Sequence, residues 1–202
     1  MTQPNPEHQR WSPDEVARLL TSSTALMDLD HASARIVVKL MKAERFAKGA
    51  VILQEGVARN GFMMLVLRGE VVVEQQGMRR ADTVMLGVVG VGGLLGEMSL
   101  LDGEPRSATC TAHSDVEAAV LDRETLAKMM ESHPLETAKL FAVLLKRMSS
   151  RLRVANRKIK SLTTQNQSLA ADMQAHLSTA TAPPPTYRTP DFDANDSGMI
   201  IL

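Results

Sequence analysis

The sequence predicts a mainly β domain with flanking helices, followed by a long C-terminal helix. Eleven of the twelve glycines fall between Gly49 and Gly103, where tight turns between short strands need them. After Pro134, apolar residues recur every seven positions, which is typical of a helix that pairs with another helix. The chain has 202 residues, enough for one domain and an appendage.

Short apolar runs between turn residues indicate the strands. The turns include Glu55-Gly56 and Arg68-Gly69. Many short strands at this spacing favour a sandwich or barrel of the jelly-roll type. The predicted strands cover residues 50–54, 62–67, 71–74, 83–89, 107–112 and 116–121.

Helix start signals stand on both sides of the strands. Ser12 and Glu15 have the spacing of a capping box, and Asp122 is suited to cap a helix after the last strand. The predicted helices begin after Ser12, cover residues 30–41 and 123–131, and run from Pro134 to about residue 176.

Two seven-residue series in the last helix form an a/d seam. Asn166 occupies an a position, where an asparagine fixes register and favours two strands. We therefore expect a parallel homodimer through residues 141–173. The alternative is a single amphipathic helix packed on its own domain. The a series is Leu145, Leu152, Ile159, Asn166 and Met173, and the d series is Phe141, Met148, Ala155, Leu162 and Leu169.

Composition excludes several classes of protein. The single cysteine, Cys110, excludes an internal disulfide or a multi-cysteine metal cage, and the five histidines show no metal-ligand spacing. No catalytic motif emerges, so we expect neither enzymatic activity nor a metal cofactor. Without a membrane-length apolar run or an apolar leader, we expect a cytoplasmic protein that does not bind membranes.

Charge is unevenly distributed along the chain. The 23 basic and 23 acidic residues cancel, but residues 137–171 contain eight basic residues and no acidic one. This stretch is interpreted either as the solvated face of a coiled coil or as a docking surface for an acidic partner or nucleic acid. Of these partners, nucleic acid is the less favoured, because the chain as a whole is neutral.

The stretch from Gly96 to Thr109 carries the most informative chemistry. Arg106, fixed by the preceding proline, can grip a phosphate with two parallel donors, and backbone N–H groups at a helical turn can add more. Glu97 can accept hydrogen bonds from vicinal sugar hydroxyls. A phosphate and a ribose within one short loop indicate a small nucleotide. The alternative is a structural Glu–Arg pair without a ligand.

This stretch resembles the phosphate-binding cassette of cyclic nucleotide-binding domains: Gly-Glu, a short apolar turn, then Pro-Arg followed by two small residues. Residues 48–56, 67–71 and 92–97 also fit, and the resemblance extends over residues 16–162. It implies a β-roll in which Glu97 binds the ribose 2′-hydroxyl and Arg106 the cyclic phosphate. The ligand-binding residues that it implies are Gly96, Glu97, Met98, Ser99, Arg106, Ser107, Ala108 and Asn156.

The resemblance also bears on the base. Residues 147–156 are similar to the helix of catabolite activator protein-like members in which a Thr-Ser pair meets adenine, but here the pair is Ala155-Asn156. Asn156 can hydrogen-bond with either purine. At the cassette, Ser107 in place of threonine removes one feature associated with guanine preference. Cyclic AMP is therefore favoured over cyclic GMP and over a cyclic dinucleotide.

The output is predicted from the chain on the C-terminal side of the cassette. Transcription factors of this family continue into a winged helix-turn-helix, whereas only 26 residues follow His176, and they are rich in proline. We therefore expect a free-standing sensor that signals through its long helix to an unidentified protein partner. The alternatives are an interaction scaffold with a degenerate site and a transcription-related regulator acting through the basic helix. The expected regions are a flexible N-terminus (1–12), a binding domain (13–133), a dimerisation helix (134–176) and a disordered tail (177–202).

Overall fold

The structure, a computed structural model, describes residues 11–58, 61–77 and 82–180. The chain divides between Arg151 and Leu152 into two compact units, and the first contains every strand described. Most of the predicted N-terminal and tail regions lie outside the described residues. The helices are α1 (Pro13–Leu20), α2 (His31–Leu40), α3 (Glu97–Asp102), α4 (Arg123–Ser132) and α5 (Pro134–Ala180).

The described residues form eight antiparallel strands in two four-stranded sheets, one in the order β1-β8-β3-β6 and the other in the order β2-β7-β4-β5. The predicted fold class, a mainly β roll with flanking helices and a long C-terminal helix, is confirmed. The strands are β1 (Lys42–Phe46), β2 (Val51–Leu53), β3 (Phe62–Arg68), β4 (Val71–Gln76), β5 (Thr83–Val89), β6 (Leu94–Leu95), β7 (Thr109–Ala112) and β8 (Val116–Asp122).

Two of the described strands were not predicted from the sequence. Strand β1 has the sequence KAERF, in which apolar and polar residues do not alternate, and it is almost wholly exposed. It forms a strand because it pairs with β8. Strand β6 has only two residues and pairs with β3 at Met64 and Leu65. Neither strand carries a local signal strong enough to be found without its partner.

The helix signals correspond to real caps. Ser12 Oγ accepts from the backbone N–H of Glu15 at 3.2 Å, while the Ser12 N–H donates to the Glu15 carboxylate at 2.8 Å. Asp122 caps α4 by accepting from the Thr125 N–H at 2.7 Å. Helix α5 extends four residues beyond its predicted end. No helix within the described ranges combines the length and apolarity needed to cross a bilayer.

Strand β3 is buried on both faces and divides the apolar core in two. Met63 and Leu65 face a cluster built with the helices, while Met64 and Val66 face the space between the sheets. Helix α5 contributes Leu140 and Leu144 to the helical cluster and packs Phe141 against it. Thus the first residue of the predicted dimer seam, Phe141, is used by the domain itself.

The connector between α1 and α2, residues 21–30, is bound to the beginning of α5. Lys139 pairs with Asp30 at 2.9 Å, and Lys146 pairs with Asp28 at 2.8 Å. Immediately after Lys146, Arg147 Nη1 donates to the carbonyls of Thr24 and Ala25 at 2.9 and 2.7 Å. These contacts attach the beginning of α5, residues 139–147, to the connector.

Asp122 is expected to make stability depend on pH. Hydrogen bonds from Lys42 and Thr125 lower the pKa of its carboxyl to about 2. A lowered folded-state pKa stabilises the native state above the unfolded pKa, and this stabilisation disappears as pH falls through the folded pKa. Asp122→Asn keeps a capping side chain but removes the charge. We expect it to lower the free energy of unfolding at pH 7.

Urea unfolding of the wild type and Asp122→Asn between pH 7 and pH 2 measures this effect. The difference between the two proteins should be constant down to about pH 4, near the unfolded pKa of aspartate, and should then shrink toward pH 2. A difference independent of pH over this range would contradict the assignment.

Candidate functional site: the cassette from Gly96 to Ala108

The cassette begins with the short helix α3 and returns through a loop to strand β7. Gly96 precedes α3 with a left-handed φ of 77°. The loop is attached to the turn after β2, because the Gly56 N–H donates to the Arg106 carbonyl at 2.9 Å and the Arg106 N–H donates to the Val57 carbonyl at 3.2 Å. These bonds hold the backbone on both sides of the Arg106 side chain.

Arg106 lies buried beneath this loop, with 6% of its surface exposed. Its Nη1 donates to the carbonyls of Phe62 and Gly96 at 2.9 and 3.0 Å, and its guanidinium carbon lies 4.6 Å from the centre of the Phe62 ring. Its Nη2 is buried and has no hydrogen-bond partner among the described residues. A buried cationic donor without a partner is costly, which makes this position suited to an incoming anion.

Arg106 remains charged although it is buried. Burial lowers the pKa of its guanidinium, and the negative charge of the nearby Glu97 opposes this lowering. Because the ordinary pKa of an arginine lies far above neutrality, this group remains protonated at neutral pH. The site therefore holds one permanent positive charge under the loop.

Glu97 is the first residue of α3 and is almost fully buried, with 3% of its surface exposed. One of its carboxylate oxygens, Oε1, accepts a hydrogen bond from Arg151 Nη1 on α5. The partner side chain is mostly exposed. A carboxylate has about four acceptor positions, so this single contact leaves it able to accept from a ligand hydroxyl.

The remaining predicted residues differ in exposure. Ser99 is buried in α3, whereas Met98 and Ser107 are exposed and their side chains meet at 4.0 Å between Sδ and Oγ. Ala108 is half-buried just before β7, and Asn156 is exposed on the part of α5 that belongs to the second unit. Seven predicted residues thus lie on one cassette, and the role of Asn156 stays a prediction.

A groove of about 850 Å³ opens beside the cassette. Its walls are apolar side chains of the strands, including Leu86, Val89 and Leu95, and the polar face of α5, including Ser150 and Arg151. None of the cassette residues lines this groove, but Arg151, which does, also binds Glu97. Small-molecule sites have volumes of roughly 300–1,000 Å³ and combine apolar walls with a few polar groups.

Comparison with known proteins agrees with this geometry. A family model described as the cyclic nucleotide-binding domain matches residues 43–133. Residues 43–133 belong to the cyclic nucleotide-binding domain family. They contain nearly all of β1, the strands β2 to β8, the cassette and α4.

Solved structures extend the likeness beyond this domain. A cyclic nucleotide-binding domain from Methylobacillus flagellatus is 28% identical, with a TM-score of 0.61 over 70% of this chain and 78% of its own. The N-terminal domain of a Streptomyces coelicolor transcriptional regulator is 25% identical, with a TM-score of 0.59 over 67% and 93%. Thermus thermophilus catabolite activator protein is 27% identical, with a TM-score of 0.58 over 72% of this chain but only 63% of its own length.

The single cysteine of the cyclic nucleotide-binding domain lies close to the cassette without an evident chemical role. Cys110 is buried on β7, and burial raises the pKa of its thiol to about 11, so it is protonated at neutral pH. Among the described residues, no group of three His, Cys, Asp or Glu side chains is placed to hold a metal ion.

Sequence reasoning missed two side chains that touch the cassette. Phe62 stood only as the first residue of a predicted strand, and no local pattern marks an aromatic ring that covers an arginine. Arg151 lay within the basic stretch of α5, where its charge matched its neighbours. The spacing of α5 relative to the cassette, which decides which basic residue reaches Glu97, comes from tertiary packing.

Gly96 is required by both its backbone and its surroundings. A Cβ at this position would lie 2.6 Å from the Phe62 carbonyl oxygen and 2.7 Å from Arg106 Nη1. Gly49 has a similar φ of 85°, but a Cβ there would meet nothing within 4 Å. Gly49→Ala should therefore cost roughly 1–2 kcal/mol for the left-handed backbone alone. Gly96→Ala should cost about 1–3 kcal/mol more because of the collision.

Chemical denaturation of the two alanine variants and the wild type measures these costs. Equal destabilisation of the two variants would show that the close approach of Gly96 to Arg106 is absent.

Proposed function

We propose that the protein is a non-catalytic, cytoplasmic sensor of cyclic AMP, which binds in the cassette and signals through α5 to a protein partner. The observation that carries this proposal is the unpartnered Nη2 of the buried Arg106 beside the buried Glu97. The family of residues 43–133 supports the ligand class.

The phosphate fits the charge of the site. A cyclic phosphodiester carries one negative charge, which the single guanidinium of Arg106 can neutralise through charge-assisted hydrogen bonds. The exposed hydroxyl of Ser107 and the first backbone N–H groups of α3, at Met98 and Ser99, are suited to supply the neutral donors. A triphosphate would bring several more charges than this site can balance.

The groups next to Arg106 are suited to bind the ribose and the base. Glu97, whose Oε1 accepts from Arg151, is suited to accept from the 2′-hydroxyl as well. The groove beside the cassette offers apolar walls for a purine. The preference for adenine rests on Ser107 in place of threonine and on Asn156, which can hydrogen-bond a base edge.

Titration calorimetry with cyclic AMP and cyclic GMP tests the ligand. We expect heat with both and tighter binding of cyclic AMP. Arg106→Ala should weaken binding by about a hundredfold or more, because at least two charge-assisted hydrogen bonds of roughly 1.5–3 kcal/mol each are lost. Arg18→Ala, an exposed arginine on α1, is the control and should bind normally. A folded wild type that binds neither nucleotide would refute the proposal.

We also propose that α5 pairs with the α5 of a second copy. Along the predicted seam, several large apolar side chains of the described chain are 50–66% exposed, which is costly for a lone helix in water. Burial in a seam of two helices would remove this cost, and Asn166 would set its register. These exposed residues are Leu145, Leu152, Ile159, Leu162, Leu169 and Met173.

Ile159→Glu tests this pairing, because it places a charge at an a position. Sedimentation equilibrium should show a dimer for the wild type and a monomer for this variant. Ser161→Glu adds the same charge at a neighbouring c position and should remain dimeric. A monomeric wild type, or equal effects of the two substitutions, would refute the seam.

The alternative of nucleic acid binding through the basic stretch has less support. Four of its eight basic residues contact groups of the first unit: Lys139 and Lys146 pair with aspartates, Arg147 with two carbonyls, and Arg151 with Glu97. These four residues already have partners within the domain, which leaves the other four basic residues of the stretch for a partner.

A further inference from the structure

Arg106 is held by one residue in two different ways. The Phe62 carbonyl accepts from Nη1 at 2.9 Å, and the ring of the same residue lies against the guanidinium, 4.6 Å from its carbon to the ring centre. A substitution at position 62 removes the ring but leaves the carbonyl. The contribution of the ring can therefore be measured separately from that of the backbone.

The position of Phe62 is itself firmly defined. It opens β3, the strand at the centre of the core, and pairs with Asp122 of β8. Immediately before it, Gly61 approaches the cassette so closely that a Cβ would lie 2.3 Å from the Ser99 carbonyl oxygen. The ring is thus carried by a strand of the core and lies directly under the ligand loop.

The ring orients the guanidinium without neutralising it. Among the described residues, no carboxylate forms an ion pair with Arg106; the groups that contact its guanidinium are two carbonyls and the ring. A carboxylate in that place would compete with the ligand phosphate for the same charge. The face of an aromatic ring attracts a cation through its quadrupole but brings no net charge.

We propose that Phe62 is a positioning residue for ligand binding: its ring fixes the plane of the Arg106 guanidinium so that Nη2 is presented, fully charged, to the phosphate. The inference rests on the proposed function and adds a residue that contacts the arginine. Without the ring, Arg106 keeps its charge and its Nη1 carbonyl contacts, but these two hydrogen bonds alone then hold the plane of its guanidinium. Part of the binding free energy must then be used to restore the orientation.

Phe62→Met and Phe62→Leu test the proposal, since both retain an apolar side chain and remove the ring. We expect cyclic AMP affinity to fall about tenfold in either variant, within the range of a desolvated cation–π contact. Phe62→Trp retains a ring and should stay within about threefold of the wild type. Phe46→Met removes a half-buried ring from the same apolar cluster and is the matched control; its affinity should be unchanged.

A second measurement separates orientation from general packing. In ¹H–¹⁵N spectra of the ligand-free protein, the Nε–Hε signal of Arg106 should be shifted upfield by the ring, and this shift should disappear in Phe62→Met but persist in Phe46→Met. Thermal unfolding checks that each variant is folded. If Phe62→Leu unfolds, Phe62→Met and the spectra still decide.

Two results would overturn the proposal. One is an Arg106 signal with no ring shift in the wild type, which would show that the contact is absent. The other is Phe62→Met binding cyclic AMP as tightly as the wild type, which would show that the contact does not matter. A wild type that binds no nucleotide is a different result, because it refutes the proposed function and leaves the spectral test of the ring contact standing.

Discussion

The buried guanidinium of Arg106 is the constraint on which the site depends. Taking a permanent cation out of water requires nearby partners, and the fold supplies two carbonyls and an aromatic face for it. Holding these partners in place constrains the backbone in three places. Gly96 must be left-handed and lack a side chain, β3 must begin at Phe62, and the loop must be bonded to the turn at Gly56 and Val57. The arrangement of the cassette therefore depends on residues of β3 and of the turn after β2.

Helix α5 is fixed to the domain by its basic residues as much as by its apolar ones. Leu140 and Leu144 bury themselves in the helical cluster, while Lys139, Lys146 and Arg147 bind the connector between α1 and α2. One turn later, Arg151 meets Glu97. The zero net charge of the chain thus conceals a local complementarity, because acidic and carbonyl groups of the domain face the basic beginning of α5.

The sequence allowed most of the fold to be predicted, because glycines, caps and apolar runs are local signals. The two missed strands are a charged edge strand and a two-residue strand, whose existence depends on pairing with β8 and β3. For the site, the contiguous motif from Gly96 to Ala108 could be found, since its residues are neighbours in sequence. Phe62 and Arg151 could not, because they lie 44 residues before Arg106 and 54 residues after Glu97, and only tertiary packing brings them together.

Glu97 connects the proposed ligand with α5. The same buried carboxylate that accepts from Arg151 is the proposed acceptor for the ribose hydroxyl, so the two contacts share one group. If ligand binding strengthens or weakens the Arg151 contact, then by linkage the position of α5 must change ligand affinity by the same factor. Any process that acts on α5, pairing with a second copy included, would then be coupled to the cassette through a single ion pair. Glu97 is 3% exposed whereas Arg151 is mostly exposed, so solvent partly screens the ion pair through which this coupling would act.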